Sequence, residues 1–90
     1  MNQTTKTVFI TGASRGIGRA IRFAAAGYQL ALCCRQNTQL LENLQQLIIS
    51  QYHTDCLIFT GDTGDYHQLE AMISETIARF HHIDVLVNNA

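Results

Sequence analysis

The 90-residue chain contains no proline and no tryptophan, and only 14% of its residues are charged. Without proline there is no proline-rich linker, and regular elements can follow one another closely. Lysine occurs once, at Lys6. No apolar run approaches the roughly 20 residues a membrane-spanning helix needs. No basic start leads into an apolar stretch of the secretory-signal kind. Cysteine is limited to Cys33, Cys34 and Cys56. An odd count without metal-ligand spacing makes neither a disulfide framework nor a zinc site. The expectation is three small buried side chains in a reducing, cytoplasmic setting, with Cys33 and Cys34 facing opposite ways on one strand. Disorder is excluded, because 47% hydrophobic residues at a net charge of −1 do not describe a chain that stays unfolded. The length allows one small domain with a thin core.

The net charge gives no reason to expect nucleic acid or a membrane surface as partner, but its distribution is informative. Residues 1–45 carry Lys6, Arg15, Arg19, Arg22 and Arg35 against Glu42 alone. Residues 46–90 carry Arg79 against Asp55, Asp62, Asp65, Glu70, Glu75 and Asp84. Four arginines with no acid between positions 15 and 35 suit a phosphorylated ligand. Scatter over a solvated surface is the competing explanation.

Thr7–Thr11 is β-branched and aromatic and ends in Gly12, which predicts a buried strand. Ile17, Ala20, Ile21 and Ala24 then recur at helical spacing, with Gly27 as the C-terminal stop. Phe23 falls about 120° off that apolar line, which implies a repacked or irregular short helix. Gln29–Cys34 is a second strand. Asn37 or Thr38 can cap a helix whose apolar face is Leu40, Leu41, Leu44, Leu47 and Ile48. Asp55–Thr60 is a third strand. Asp65 with Gln68 three residues on has the form of a capping box. The helix it opens puts Leu69, Met72, Ile73, Ile77 and Phe80 on one face. Asp84–Asn88 is a fourth strand. The order βαβαβαβ requires parallel pairing through right-handed crossovers. The fold class expected is α/β: the N-terminal half of a Rossmann-like doubly wound parallel sheet, strand order 3-2-1-4.

The segment Thr11-Gly-Ala-Ser-Arg-Gly-Ile-Gly18 carries the strongest chemical signal. It follows a strand and opens a helix within a βαβ unit, the setting in which glycines admit a pyrophosphate to a helix N-terminus. The rival phosphate loop fails, because Arg19-Ala20 stands where Lys-Ser/Thr is needed. A tight turn without a ligand is the bland alternative.

With the closing Val87-Asn-Asn-Ala90, this loop resembles the short-chain dehydrogenase/reductases, in particular their 3-oxoacyl-carrier-protein reductase-like branch. The likeness runs over essentially the whole chain. It implies that residues 1–90 form the cofactor-binding N-terminal half of the domain, with the catalytic half absent. It further implies that Gly12, Ser14, Arg15, Gly16, Ile17 and Gly18 surround the phosphates and ribose of a dinucleotide. Asp62, with Thr63, would meet the adenine, and Asn89 and Ala90 would line the adenosine ribose. Asn88 would tie neighbouring strands together.

The choice of cofactor rests on charge. An NAD site places an acid at the end of the second strand, about 20 residues after the loop. Here Arg35 follows Cys34, and no acid appears before Glu42. A guanidinium forks onto a 2′-phosphate that a carboxylate would repel, so NADP(H) is expected ahead of NAD(H), with Arg15 as a second clamp.

Relatives of this kind use a Tyr-x-x-x-Lys pair. Four residues after Tyr28, Tyr52 and Tyr66 stand Leu32, Cys56 and Glu70. The chain alone is therefore expected to be inactive, with a small carbonyl or alcohol as substrate only of a complete protein. A non-enzymatic nucleotide-binding or interaction module, or a degenerate fragment, is the alternative. Self-association through a bare fourth strand is a further expectation. His81 and His82 stand where these relatives usually have a glycine after the third helix, and no metal site is expected of them.

Overall fold

A computed structural model describes residues 5–89 of the chain. β1 (Thr7–Thr11) leads through a 3-10 turn (Ala13–Arg15) into α1 (Ile17–Ala25). Then follow β2 (Gln29–Cys34), α2 (Thr38–Tyr52), β3 (Cys56–Thr60), α3 (Tyr66–Phe80) and β4 (Val85–Asn88). All pairing is parallel in the order β3-β2-β1-β4, as the element pattern requires. β1 lies at the centre and is buried throughout. Its Val8 stands opposite Leu30 on one side and Val85 on the other.

Alternation along the strands divides the core. Val8, Ile10, Leu30, Leu32 and Cys34 pack with Ala20, Ala24, Leu41, Leu44 and Ile48, beneath α1 and α2. Phe9, Ala31 and Cys33 pack with Met72 beneath α3, along with half-buried Leu57, Phe59, Leu69 and Ile73. Cys33 and Cys34 thus face opposite layers. All three cysteines are buried and unpaired.

The termini of the helices follow local chemistry. Asn37, not Thr38, caps α2, its Oδ1 accepting the Leu40 amide at 3.2 Å. Asp65 caps α3 by accepting the amides of His67 and Gln68 at 2.9 and 3.3 Å. The reciprocal half of the capping box is missing, because Gln68 Oε1 accepts the amide of Asp62 instead, at 2.8 Å. α1 ends in a Schellman motif. The Tyr28 amide donates to Phe23 O and the Gly27 amide to Ala24 O, both at 3.0 Å, with Gly27 at φ 90°. That motif brings an apolar contact between its first and last residues, which explains Phe23. Its ring meets Tyr28 edge-on, centroids 4.9 Å apart. The residue that looks out of phase on a helical wheel is the apolar partner of the helix stop, and α1 runs as a regular helix.

Two further expectations shift. β3 and β4 each begin one residue later than expected, at Cys56 and Val85. Asp55 O and the Asp84 amide still bond to Leu30 and Thr7 of the neighbouring strands. On α3, Ile77 is exposed and Thr76 is buried. Met72, Thr76 and Phe80 recur at four-residue spacing along the buried line, and the Thr76 hydroxyl is satisfied by donating to Met72 O at 2.8 Å.

Candidate functional site

Parallel strands deliver their carboxyl ends to one edge of the sheet, and here those ends enclose a cleft of about 600 Å³. Thr11 comes from β1, Cys34 and Arg35 from β2, residues 61–64 from the turn after β3, and Asn88 and Asn89 from the end of β4. The strand order reverses beside β1, the position at which doubly wound sheets open a crevice for ligands.

The glycine loop forms one wall. Gly12 takes a left-handed conformation, φ 61° and ψ 40°, and the 3-10 turn closes with Arg15 N donating to Gly12 O at 2.9 Å. This turn buries Ala13 in the core and leaves Ser14 and Arg15 exposed at the cleft. The first hydrogen bond of α1 is Ala20 N to Gly16 O at 2.9 Å. The amides of Ile17, Gly18 and Arg19 precede it, as the opening donors of any helix do.

Asn89 explains two of the glycines. Its amide and its Nδ2 both donate to Thr11 O, at 3.3 and 3.2 Å. The side chain then fills the space in front of Gly16, where an added Cβ would lie 2.5 Å from Nδ2. At Gly12 a Cβ would lie 2.9 Å from the backbone oxygen of Asn89. Sequence reasoning assigned Gly16 to clearing space for a pyrophosphate, whereas its immediate neighbour is this asparagine. A Cβ at Gly18 meets nothing within 4 Å, so the approach to the helix N-terminus is open there. Asn88 ties β4 to β1, its Oδ1 accepting from the Thr11 hydroxyl at 2.9 Å.

On the opposite wall the turn after β3 is held by its own hydrogen bonds. Asp62 Oδ1 accepts the Gly64 amide at 2.8 Å, and Asp62 O accepts the Asp65 amide at 3.1 Å. The other carboxylate oxygen, Oδ2, lies 3.8 Å from Arg35 Nη2. Thr63 completes this wall.

Seven of the expected site residues therefore line one cleft: Gly12, Ser14, Arg15, Arg35, Asp62, Thr63 and Asn89. Gly16 and Gly18 border an adjoining cleft of about 330 Å³ with Arg15, Arg19 and Arg22. Ile17 lies apart from both, in a groove against Leu40, Leu44 and Leu47 of α2. Ala90 falls outside the described residues. The sequence reading missed Gln68, whose side chain pins Asp62. Its position three residues after Asp65 was read only as a helix cap. It also missed Gly61 and Gly64, which line the same cleft.

Chemically the cleft offers two guanidinium groups, one carboxylate, hydroxyls and backbone amides. Among the described residues no tyrosine or histidine lines it. The Cys33 thiol, pushed up to about 12 by burial and then by Cys34 beside it, faces the α3 layer. No group of three or more His, Cys, Asp or Glu side chains among the described residues is placed to hold a metal. No helix among them is long and apolar enough to cross a membrane.

The family model described as short chain dehydrogenase matches residues 6–90. The chain belongs to the short-chain dehydrogenase family. The 3-oxoacyl-(acyl-carrier-protein) reductase FabG of Staphylococcus aureus is 36% identical over 88 residues, covering 96% of this chain and 35% of the reductase. The L-fucose dehydrogenase of Rattus norvegicus is 37% identical over 87 residues, covering 94% of this chain and 30% of that enzyme. Among solved structures, L-sorbose reductase from Gluconobacter frateurii, complexed with NADPH and L-sorbose, superposes with a TM-score of 0.83 at 30% identity. The match covers 97% of this chain and 34% of that one. NAD+-bound xylitol dehydrogenase shares the fold, with a TM-score of 0.86 at 23% identity, covering 99% and 35%. This short-chain dehydrogenase sequence thus spans about a third of the length of the relatives it matches. Bound forms with both nicotinamide dinucleotides occur among the structures that resemble it.

Proposed function

We propose that residues 1–90 form the N-terminal, dinucleotide-binding half of a Rossmann domain and hold the adenosine and pyrophosphate of NADP(H) in preference to NAD(H). The supporting observation is the pair of arginines at the cleft, Arg15 from the glycine loop and Arg35 from the end of β2, with no acid at that strand end. The residues fit such a group. The opening amides of α1 and the open approach at Gly18 suit a pyrophosphate. Asp62 and Thr63 line the cleft from the turn after β3 and would read an adenine edge, and Asn89, which follows β4, would meet the ribose. NADPH supplies a hydride when bound. The protein's part here is to orient the adenosine end.

In this reading the complete oxidoreductase reduces a carbonyl or oxidises an alcohol. These residues alone are expected to turn over neither, because no tyrosine in their sequence is followed four residues on by a lysine. Three unpaired cysteines accord with a reducing, cytoplasmic location. A second reading, an interaction module, draws on β4. This strand pairs with β1 on one side and leaves Leu86 exposed, so it offers a pairing edge to another chain. Sedimentation across a concentration series tests it, and a strictly monomeric chain removes it.

Fluorescence titration with NADPH and NADH tests the principal reading. NADPH is expected to bind the more tightly, and Arg35→Asp to abolish the difference by repelling the 2′-phosphate. Equal affinity or an NADH preference in the unaltered chain refutes it. Steady oxidation of NADPH by a panel of ketones and 3-oxoacyl thioesters, lost in Gly12→Asp, refutes the inactivity.

A further inference from the structure

Arg35 and Asp62 arrive at the cleft from different elements, and their freedom differs. Asp62 is pinned. Its Oδ1 accepts the Gly64 amide at 2.8 Å, its amide donates to Gln68 Oε1 at 2.8 Å, and its carbonyl accepts from Asp65. Arg35 has a side chain 75% exposed on a flexible stem, and among the described residues it makes one ion pair, to Asp62 Oδ2 at 3.8 Å. That separation is beyond hydrogen-bond length, so the pair is Coulombic and the guanidinium's donors stay available to a ligand.

We infer that Asp62 sets how strongly the site discriminates a 2′-phosphate, by competing with that phosphate for Arg35. The inference rests on the cleft being an adenosine-phosphate site. A 2′-phosphate that engages Arg35 draws the guanidinium away from a carboxylate that cannot follow. It also brings a charge of nearly −2 close to that carboxylate. Both effects weaken binding of the phosphorylated ligand. A ligand with a free 2′-hydroxyl draws on neither. Asp62 is in this respect a positioning residue for Arg35, and it restrains the preference that Arg35 creates. Any contact of Asp62 with the adenine is common to both ligands and cancels in their ratio.

The test uses the 90-residue chain and two probes that differ in one group, 2′,5′-ADP and 5′-AMP, titrated by calorimetry. Asp62→Asn keeps an oxygen to accept the Gly64 amide and removes the charge. The ratio of the 5′-AMP to the 2′,5′-ADP dissociation constant is expected to rise roughly two- to tenfold, the scale of exposed charge pairs with a doubly charged partner. The gain should shrink as salt is raised. Asp62→Ser, with a hydroxyl for the same turn, is the second charge-free variant and should behave alike if the asparagine variant folds poorly. In an Arg35→Ala background the gain should fall to less than half. An unchanged or lower ratio in the charge-free variants overturns the inference and leaves the nucleotide reading standing. An equal gain without Arg35 overturns it as well, since Asp62 would then act on the phosphate directly. Binding of neither probe to the unaltered chain overturns the nucleotide reading, and the inference with it.

Discussion

Replacing Gly16 by alanine tests whether the glycine loop is shaped by its protein neighbour. The backbone at Gly16, φ −123° and ψ 35°, has a negative φ, so the left-handed conformation that favours glycine is not at issue here. An added Cβ would lie 2.5 Å from Asn89 Nδ2 and 3.2 Å from Asn89 Cγ. The asparagine must leave, giving up its hydrogen bond to Thr11 O. Overpacking of this kind costs about 1–3 kcal/mol. The alanine recovers about 0.4–1 kcal/mol by restricting the unfolded chain. The mid-range net loss of about 1.3 kcal/mol lowers the melting midpoint of a domain this size by roughly 5–10 °C. Asn89→Ala alone forfeits about 1 kcal/mol with its hydrogen bond. In the double variant the clash has no partner, so its loss should stay close to that of Asn89→Ala alone and well below the sum of the two. Gly12→Ala provides the contrast. Its obstacle is the backbone oxygen of Asn89 at 2.9 Å, together with a positive φ, so Asn89→Ala should not rescue it. Circular-dichroism melting of these five variants and the unaltered chain gives the comparison. Additive losses at Gly16 and Asn89, or equal rescue at Gly12 and Gly16, would refute the reasoning.

Three further outcomes are expected. His81 closes α3 at φ 78°, where a side chain is strained, so His81→Gly should raise the melting midpoint, the relief of about 1–2 kcal/mol exceeding the entropy cost of the glycine; a lower midpoint contradicts this. The Asp84 carboxyl is held below its usual range, first by the Thr7 amide at 2.8 Å and then by His82, so it binds fewer protons folded than unfolded. Its contribution is therefore present above about pH 4 and lost as pH falls through the lower folded value, and acid titration of Asp84→Asn should show a shallower loss of stability over that window than the parent. Burial pushes the thiols of Cys33 and Cys56 up to about 12, so mass-mapped alkylation at pH 8 should leave both unlabelled until the chain is unfolded, and rapid native labelling at either would disprove it.

The order of elements, the parallel pairing and the sequence of strands across the sheet were all legible in one dimension. Each depends on local pattern: continuous apolar strands, helical spacing between them, and a handed crossover that leaves few arrangements. Of the cleft, Gly12 was legible from the glycine loop and Arg35 from the charge at the end of the second strand, while Asp62 and Asn89 came through the family resemblance; parallel strands bring all four to one edge. What the pattern could not show is who occupies the space beside each residue. Gly16 reads as a ligand glycine, yet Asn89, distant in sequence, fills the volume before it. Phe23 looks misplaced on a wheel because a wheel has no end, and its partner Tyr28 lies beyond the helix stop. Gln68 has the spacing of a cap but bonds to Asp62, because the turn after β3 folds back within its reach. Arg35 and Asp62 are separated by a whole helix and strand, and only adjacency of β2 and β3 sets one guanidinium against one carboxylate. Periodicity and backbone sterics act over a few residues and can be read along the chain. Close packing and charge pairing act across it, and are decided only when distant segments meet.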